Sequence, residues 1–509
     1  MLIQTEQANF FAQTHRKTTT LDRNLINLLN NDQKKALLKL ENLFELDKIK
    51  LNEIVNRFLI EFQLGLENSV ENQAKNLQQN AKTQDTDYLI PMLPTFIHDV
   101  PHGNEKGTFL ALDLGGTNLR ICQVNLNGDK TFEIKSDKYL LTSQIKTGTA
   151  EALFDYIAEC VQKFLIDLNQ PNPLSNNQEK LCLGFTFSFP VLQTALDQGA
   201  LLGWTKGFSA SNAIGVDVVQ LLQRALDKKS IPVVCNALVN DTVGTLMARA
   251  YQSGSALVGV IFGTGTNGAY VEDIARIKKL PKSLRDSSKK SPKMIINTEW
   301  GAFDNYRNIL PFTKYDNQVD RRSINPRRQA FEKMVSGMYL GELTRAVLLD
   351  LIDEGLLFEG HSTEKFNQHY GFDTAVLSAI DGLGVEKRTE EIMRTRFGIE
   401  RGETTDWVMI ESVCELIGVR AARLAAAAIA AVIRQTQADK KTDSRISIGA
   451  DGSVILKYEK FKGRMIEGLS DLFDEDVLKR IDVDEAHDGS GVGAALCALQ
   501  AKKQQNMSD

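Results

Sequence analysis

Two short stretches of this chain share one grammar. "LALDLGGTNLR" (110–120) and "GVIFGTGTNGAY" (259–270) each read as an apolar strand, a turn of Gly, Thr and Asn, and a second strand. Their turns lie about 150 residues apart, from Gly115 to Gly265. Between them come β-rich "KLCLGFTFSFP", a helix with Val218, Leu221, Leu222, Ala225 and Leu226 on one face, and the strand "IPVVCNALVN". A repeated hairpin followed by alternating strands and helices confines the chain to an α/β fold and hints at an internal duplication.

The third quarter turns helical and ends in the alanine-rich "VCELIGVRAARLAAAAIAAVIRQT". Arg420 and Arg423 interrupt that apolar run, so it reads as a core helix rather than a membrane span. At the other end, residues 1–45 are rich in Asn, Gln and Lys, with a short apolar stripe at Leu37, Leu38 and Leu40. They read as an extension, partly helical or disordered. From Asp47 the positions of Ile49, Ile54, Phe58, Leu59, Phe62 and Leu66 recur at helical spacing, and a polar segment follows. The organised core is expected to start near Leu89. Basic "KKLPKSLRDSSKKSPK" (278–293) reads as a solvated loop.

Charge and cysteine usage narrow the function classes. A net charge of −5 gives no global attraction to nucleic acid or anionic lipid. The start "MLIQTEQANFF" lacks the basic and apolar regions of a secretory signal, so a cytoplasmic protein is expected. Six widely spaced cysteines suggest neither a metal knuckle nor a disulfide framework and read as buried, reduced and structural.

Gly263, Gly265 and Gly268 match the spacing G-x-G-x-x-G. A dinucleotide site, however, needs a helix after the glycines and an acid about 20 residues onward. Here Ala269, Tyr270 and Val271 continue as a strand. Such a hairpin can cradle phosphate on its backbone N–H groups, or be a plain tight turn.

Asp113, before Gly115 and Gly116, would repel a phosphate unless a cation intervened; Mg²⁺ held through water is one reading, an Asp fixing its own turn the other. Asp241, with Asn240 beside it, stands where strand "IPVVCNALVN" gives way to a helix, a position that suits a ligand or a cap. Lys206 in "GWTKGF" could face an anion or simply be solvated. Glu299 in "INTEWGAFDN" and Glu332 in "FEKM" are site candidates or dipole-complementing acids. The Gly/Ser turns "IGADGSV" and "DGSGVGAALCAL" close the set.

Taken together these segments resemble the eukaryotic hexokinase and glucokinase family, with fungal glucokinases most alike. The resemblance runs from about residue 46 to 503 through "LALDLGGTNLR", "LGFTFSFP", "WTKGF", "NDTVGT", "FGTGTNGAY", "NTEWGAFDN", "FEKMVSGMYLGE", "ADGSV" and "DGSGVGAAL". It implies a two-lobed fold of the actin-like ATPase class. Its expected regions are the extension 1–45, a region 46–252 that is mostly the small domain, and a region 257–503 forming the large domain.

It also implies ATP-dependent phosphorylation of glucose at the 6-hydroxyl, with mannose and fructose as further candidate sugars. By position, Asp113, Gly115, Gly116, Thr117 and Asn118 resemble a first phosphate loop, with Asp113 meeting Mg²⁺ through water. Gly263, Thr264 and Gly265 resemble a second, and Asp451, Gly452 and Ser453 the loop near the adenosine. Ser188, Thr205, Lys206, Asn240, Asp241, Asn267, Glu299 and Glu332 match the family's sugar-binding residues. Asp241 matches its catalytic base, with Lys206 as a helper.

These implications suit the chemistry. A sugar is an uncharged array of hydroxyls, selected by carboxylates and amides around the ring. A primary hydroxyl needs a base to orient it and take its proton. Neither nucleic acid nor a membrane is an expected partner, and nothing in the sequence selects monomer over homo-oligomer. A sugar sensor on the same fold would lack Asp241 or interrupt the phosphate turns. An actin- or chaperone-type ATPase would lack "LGFTFSFP" and "WTKGF". No P-loop or protein-kinase signature occurs.

Overall fold

A computed structural model of the chain describes residues 26–68, 89–168, 180–204, 207–287, 292–383, 386–442 and 444–506. Its strands are β1 (Leu93–Pro94), β2 (Lys106–Leu114), β3 (Asn118–Asn127), β4 (Phe132–Leu140), β5 (Leu181–Phe187), β6 (Val191–Ala195), β7 (Gln198–Leu201), β8 (Val233–Val239), β9 (Val258–Phe262), β10 (Thr266–Asp273), β11 (Lys293–Asn297), β12 (Ile446–Asp451) and β13 (Ile481–Glu485). Eight helices matter here: α1 (Asn31–Phe44), α2 (Lys48–Glu67), α3 (Ala150–Asp167), α4 (Val218–Lys228), α5 (Asp241–Ser253), α6 (Thr404–Gln435), α7 (Phe461–Ser470) and α8 (Ala494–Asn506).

The suggested duplication is visible in the sheets. One sheet runs β4-β3-β2-β5-β8 and the other β1-β11-β10-β9-β12-β13. In the first, β2, β5 and β8 are parallel and β3 and β4 extend them antiparallel; in the second, β9, β12 and β13 are parallel and β10 and β11 play the antiparallel part. Among the described strands of these two sheets only β1 has no counterpart. Each quoted hairpin is thus the centre of its own sheet, and the fold is the two-lobed α/β architecture expected.

Three apolar clusters hold this together. The first sheet packs one face on α3 and α4 through Leu110, Leu112, Phe154, Phe185 and Leu222. A larger core joins the second sheet to α1, α2, α6 and α7 through Phe58, Phe62, Tyr270, Trp300 and Phe461. Between the sheets lie α5 and α8, whose Val243, Leu246, Met247, Ala495 and Leu496 share a cluster with Ala111 and Ala269. Glycine permits a very close crossing there, since a Cβ on Gly493 would stand 2.2 Å from the Gly244 carbonyl oxygen.

The N-terminal region is more ordered than its composition suggests. The core begins at Leu29, not near Leu89. Asn30 and Gln33 form a capping box at α1, and Leu37, Leu40 and Phe44 are buried while Leu38 is 59% exposed. Each such buried side chain contributes about 1.5–3 kcal/mol, enough to dock a polar helix. Phe44 stacks on Tyr315 at 6.3 Å and lies under the Arg420 guanidinium at 4.7 Å. Residues before 26 lie outside the described residues.

α2 starts where Asp47 accepts the Lys50 N–H at 2.7 Å, and buries Ile54, Phe58, Phe62 and Leu66 as its spacing implies, whereas Leu59 is half-buried and Ile49, in the first turn, is 71% exposed. α6 is the core helix expected. It is the one helix among the described residues long and apolar enough to cross a membrane, and 94% of its apolar window is buried inside the protein. The two arginines that interrupt its apolar run are partnered in place: Arg420 grips Asp316 at 2.7 and 2.9 Å, and Arg423 pairs with Asp471 while its Nε donates to the Leu46 carbonyl at 2.7 Å. All six cysteines are free and buried. In the basic segment a short helix forms at Lys282–Ser287, and residues 288–291 lie outside the described residues.

Candidate active site

The carboxyl ends of parallel strands gather ligands in open α/β sheets, and the predicted residues stand there. In the first sheet Asp113 pairs across to Thr186 of β5, Ser188 follows β5 directly, and Asn240 and Asp241 follow β8. Because β2, β5 and β8 are adjacent and parallel, these residues share one sheet edge. The first glycine turn is closed by Gly115 N–H donating to the Asn118 carbonyl at 3.1 Å. Gly116 and Thr117 complete it, and the Thr117 carbonyl accepts from Leu141 N–H at 3.0 Å.

The capping question at α5 has a divided answer. Asn240 is the N-cap, its Oδ1 accepting the Thr242 N–H at 2.9 Å. Asp241 opens the helix and also accepts that N–H, at 2.8 Å. A carboxylate in the first turn is favoured by the helix dipole, and the bond to Thr242 N–H fixes its direction.

Ser188 is flanked by an aromatic cluster. Phe189 meets Trp204 edge-on at 5.1 Å, Trp204 stacks on Phe208 at 5.4 Å, and Trp204 Nε1 donates to the Ala210 carbonyl at 2.8 Å. Thr205 and Lys206, between two members of this cluster, lie outside the described residues.

The second hairpin supplies a polar network. Asn267 Oδ1 accepts from the Gly268 and Glu299 N–H groups at 2.7 and 3.0 Å, while its Nδ2 donates to Asn297 Oδ1 at 2.8 Å and Glu299 Oε1 at 3.0 Å. Asn297 Nδ2 adds a second donor to Glu299 Oε1 at 2.8 Å. Glu299 itself has φ 56°, ψ 42°, a left-handed backbone costing about 1–3 kcal/mol that the network holds in place. Glu332 Oε2 accepts from Thr266 N–H at 3.1 Å, and a Cβ on Gly265 would lie 2.6 Å from the same oxygen.

The second glycine turn is fixed on both flanks. Gly263 N–H closes it onto the Gly265 carbonyl at 2.9 Å. The Gly263 carbonyl accepts from Gly337 N–H at 2.7 Å, and the Thr264 carbonyl from Met338 N–H at 3.2 Å. On the other flank Gly452 adopts φ 105°, ψ 150° beside Phe262 and Gly263. Ser453 then begins a short helix, Ser453–Lys457. A chain of contacts therefore runs from Glu299 through Asn267, Glu332 and the 263–265 turn to Gly452 and Asp451.

Electrostatics extend that chain to the first sheet. Burial raises the Asp451 carboxyl above its ordinary pKa of 3.8, and Asp241, Glu485 and Asp488 push it further against the opposing Gly452 N–H bond. Asp241 and Asp451 thus feel one another across the space between the lobes. Arg120 offsets part of this charge with a bidentate bond to Asp488 at 2.7 and 2.6 Å. Burial alone would lower the Arg120 pKa, but the Asp488 bond, with Cys122 and Asp113 nearby, makes the net shift upward.

A place crowded with carboxylates suits a divalent cation. Among the described residues no group of three or more His, Cys, Asp or Glu side chains could ligate a metal directly. Asp113, Asp241 and Asp451 are the acids at these turns, and such separate carboxylates suit an ion that keeps most of its waters, as Mg²⁺ does.

Three partners escaped sequence reasoning. Asn297 orients Glu299 from two residues away, in the very segment "INTEW". Arg120 and Asp488 both stand inside quoted motifs, yet their pairing across 368 positions carries no sequence signal.

Comparisons with known proteins point to one family. Two family models described as hexokinase match residues 36–251 and 257–500. Glucokinase of Aspergillus niger is 43% identical over 82% of this chain and 90% of its own length. Hexokinase-1 of Schizosaccharomyces pombe is 39% identical over 94% of both chains. Among solved structures, hexokinase from Schistosoma mansoni complexed with glucose superimposes with a TM-score of 0.77 at 35% identity, covering 92% of this chain and 99% of that one.

Proposed function

The chain belongs to the hexokinase family, and on that premise we propose that it transfers the terminal phosphoryl group of ATP to the 6-hydroxyl of glucose in the cytoplasm, opening glycolysis. The observation that carries this reading is the continuous path from the Asn267–Glu299–Asn297 network, through the glycine turn, to Asp451 and Asp241. Sugar-type donors and acceptors, a phosphate-type turn and a helix-initiating carboxylate converge along it.

The residues divide the work by chemistry. Asn267, Glu299 and Glu332, with Ser188 and Asn240, offer amides, carboxylates and a hydroxyl to the ring hydroxyls. Thr205 and Lys206 join them by their place in "WTKGF". Prefixed geometry is an advantage here, since a network already satisfied inside the protein loses little entropy when sugar arrives. Asp241 directs the 6-hydroxyl and takes its proton as the new oxygen–phosphorus bond forms.

The 115–118 and 263–265 turns present backbone N–H groups to phosphate oxygens, and Asp451, Gly452 and Ser453 line the adenosine end. Asp113 would hold Mg²⁺ through water, and the ion would neutralise phosphate charge when bound with ATP. Lys206 adds a second positive charge on the transferring group.

Water is as reactive as the sugar hydroxyl, so idle ATP hydrolysis must be suppressed. Closure of the lobes around sugar would complete the site only when the proper acceptor is present. The aromatic cluster around Trp204 gives the first lobe a firm surface to close with.

The test is glucose-dependent ADP release from Mg-ATP by the full chain, with the phosphate position in the product assigned by NMR. Release accompanied by glucose 6-phosphate supports the proposal. No release with glucose, mannose or fructose overturns it.

A further inference from the structure

At the edge of the first sheet remote from the catalytic residues, β2 runs past its neighbour. Leu110 is the first β2 residue paired with β5, so Lys106, Gly107, Thr108 and Phe109 have strand partners on β3 only. The gap left beside them is a cavity of about 450 Å³, bounded below by the start of β5 and by the last turns of α8. Its lining has two chemistries. Phe109, Leu181 and Leu499 are its apolar members, and Lys106, Lys180, Lys502 and Lys503 border it from β2, the start of β5 and α8. Among the described residues no carboxylate lines it.

For two of these lysines the neighbouring acids are themselves exposed and compensate weakly. Lys180 reaches Asp227 at 3.6 Å with both side chains more than half exposed, and Lys106 acts on the exposed Asp129. Such exposed pairs are worth about 0–1 kcal/mol and yield readily to a stronger anion. In a protein of net charge −5 this is a local concentration of positive charge against the overall balance.

We propose that this groove is a second anion site, taking a compact polyphosphate-bearing small molecule. Lysine ammonium groups serve phosphate as point charges, and four of them match several phosphate charges better than one. The volume suits a small molecule. The site is separate from the phosphate turns, because Lys106 and Asp113 stand at opposite ends of β2, about 23 Å apart at the usual strand rise. The same elements reach both places: β2 leads to Asp113, and α8 to the Asp488 turn. The proposal does not depend on the catalytic reading.

The probe is inorganic tripolyphosphate, titrated by calorimetry into the full chain in EDTA, where no Mg²⁺ complicates binding. The wild type should show a saturable component of one anion per chain. In the double variant K106Q/K503Q that component should weaken about tenfold, as expected for two partly exposed charges. Glucose-dependent ADP release without the probe should stay at the wild-type rate. Equal affinity in wild type and variant, or no saturable binding at millimolar probe, would overturn the proposal.

Discussion

Replacing Gly452 by Ala perturbs the nucleotide side of the site while leaving the sugar side in place. Its backbone, φ 105° and ψ 150°, lies in a region that glycine alone occupies readily, so Ala there costs about 1–3 kcal/mol. Space is also lacking. The added methyl would stand 2.5 Å from Phe262 O, 2.6 Å from Phe262 C and 2.7 Å from Gly263 N, all backbone atoms that cannot rotate away.

The relief available is a shift of the 262–265 segment, which displaces the N–H groups proposed to hold phosphate. A hydrogen bond to a charged oxygen contributes about 1.5–3 kcal/mol, so losing one raises the KM for ATP roughly 10- to 100-fold. Asn267 and Glu299 are held by Asn297 on the far side of the hairpin, so glucose affinity should change less than about threefold. The assay is ADP release over a range of ATP at saturating glucose, paired with a glucose titration followed by tryptophan fluorescence. An ATP KM equal to wild type in Gly452→Ala would refute the packing argument.

Other expectations follow from the same geometry. Asn297→Ala removes one of the two amide donors to Glu299 Oε1, and should raise the KM for glucose by about tenfold with the ATP KM unchanged, measured by steady-state kinetics. Glu61 is buried, and burial outweighs its Arg57 ion pair to push the carboxyl up to about 7. In the unfolded chain it ionises near 4.5, so folding stability should fall as pH rises from 4.5 to 7 and level off above that. Glu61→Gln should remove that slope in denaturant melts across the range. Saturating glucose should reduce the radius of gyration in small-angle scattering, and an identical profile with and without sugar would count against lobe closure.

The parts of this protein legible from sequence are those where local chemistry and position coincide. Val258–Phe262 and Thr266–Asp273 form the hairpin their β-branched residues imply, and the missing helix after Gly268 correctly removed a dinucleotide reading. Asp47 caps the helix whose spacing it precedes. Other features depended on distant partners. Leu37 and Leu40 show in the sequence as part of an apolar stripe, but their place in the core together with Phe44 depends on distant partners, α6 and Tyr315 among them.

Near the carboxyl end, the Gly/Ser turn expected in "DGSGVGAALCAL" is present before α8, and it takes a π-type form over Gly489–Gly493 that no residue type announces. That extra widening keeps Gly493 against Gly244, a contact between positions 249 apart. Asn240 and Asp241 were indistinguishable as cap and ligand because both accept the same N–H group.

The central claim is that Asp241 takes the proton of the sugar's primary hydroxyl, and Asp241→Asn tests it most directly. The amide preserves size and can still accept the Thr242 N–H, so glucose should bind within about tenfold of wild type. Single-turnover phosphoryl transfer from Mg-ATP should slow by about 10²–10⁴. A variant that binds glucose and transfers phosphate at the wild-type rate would contradict the account.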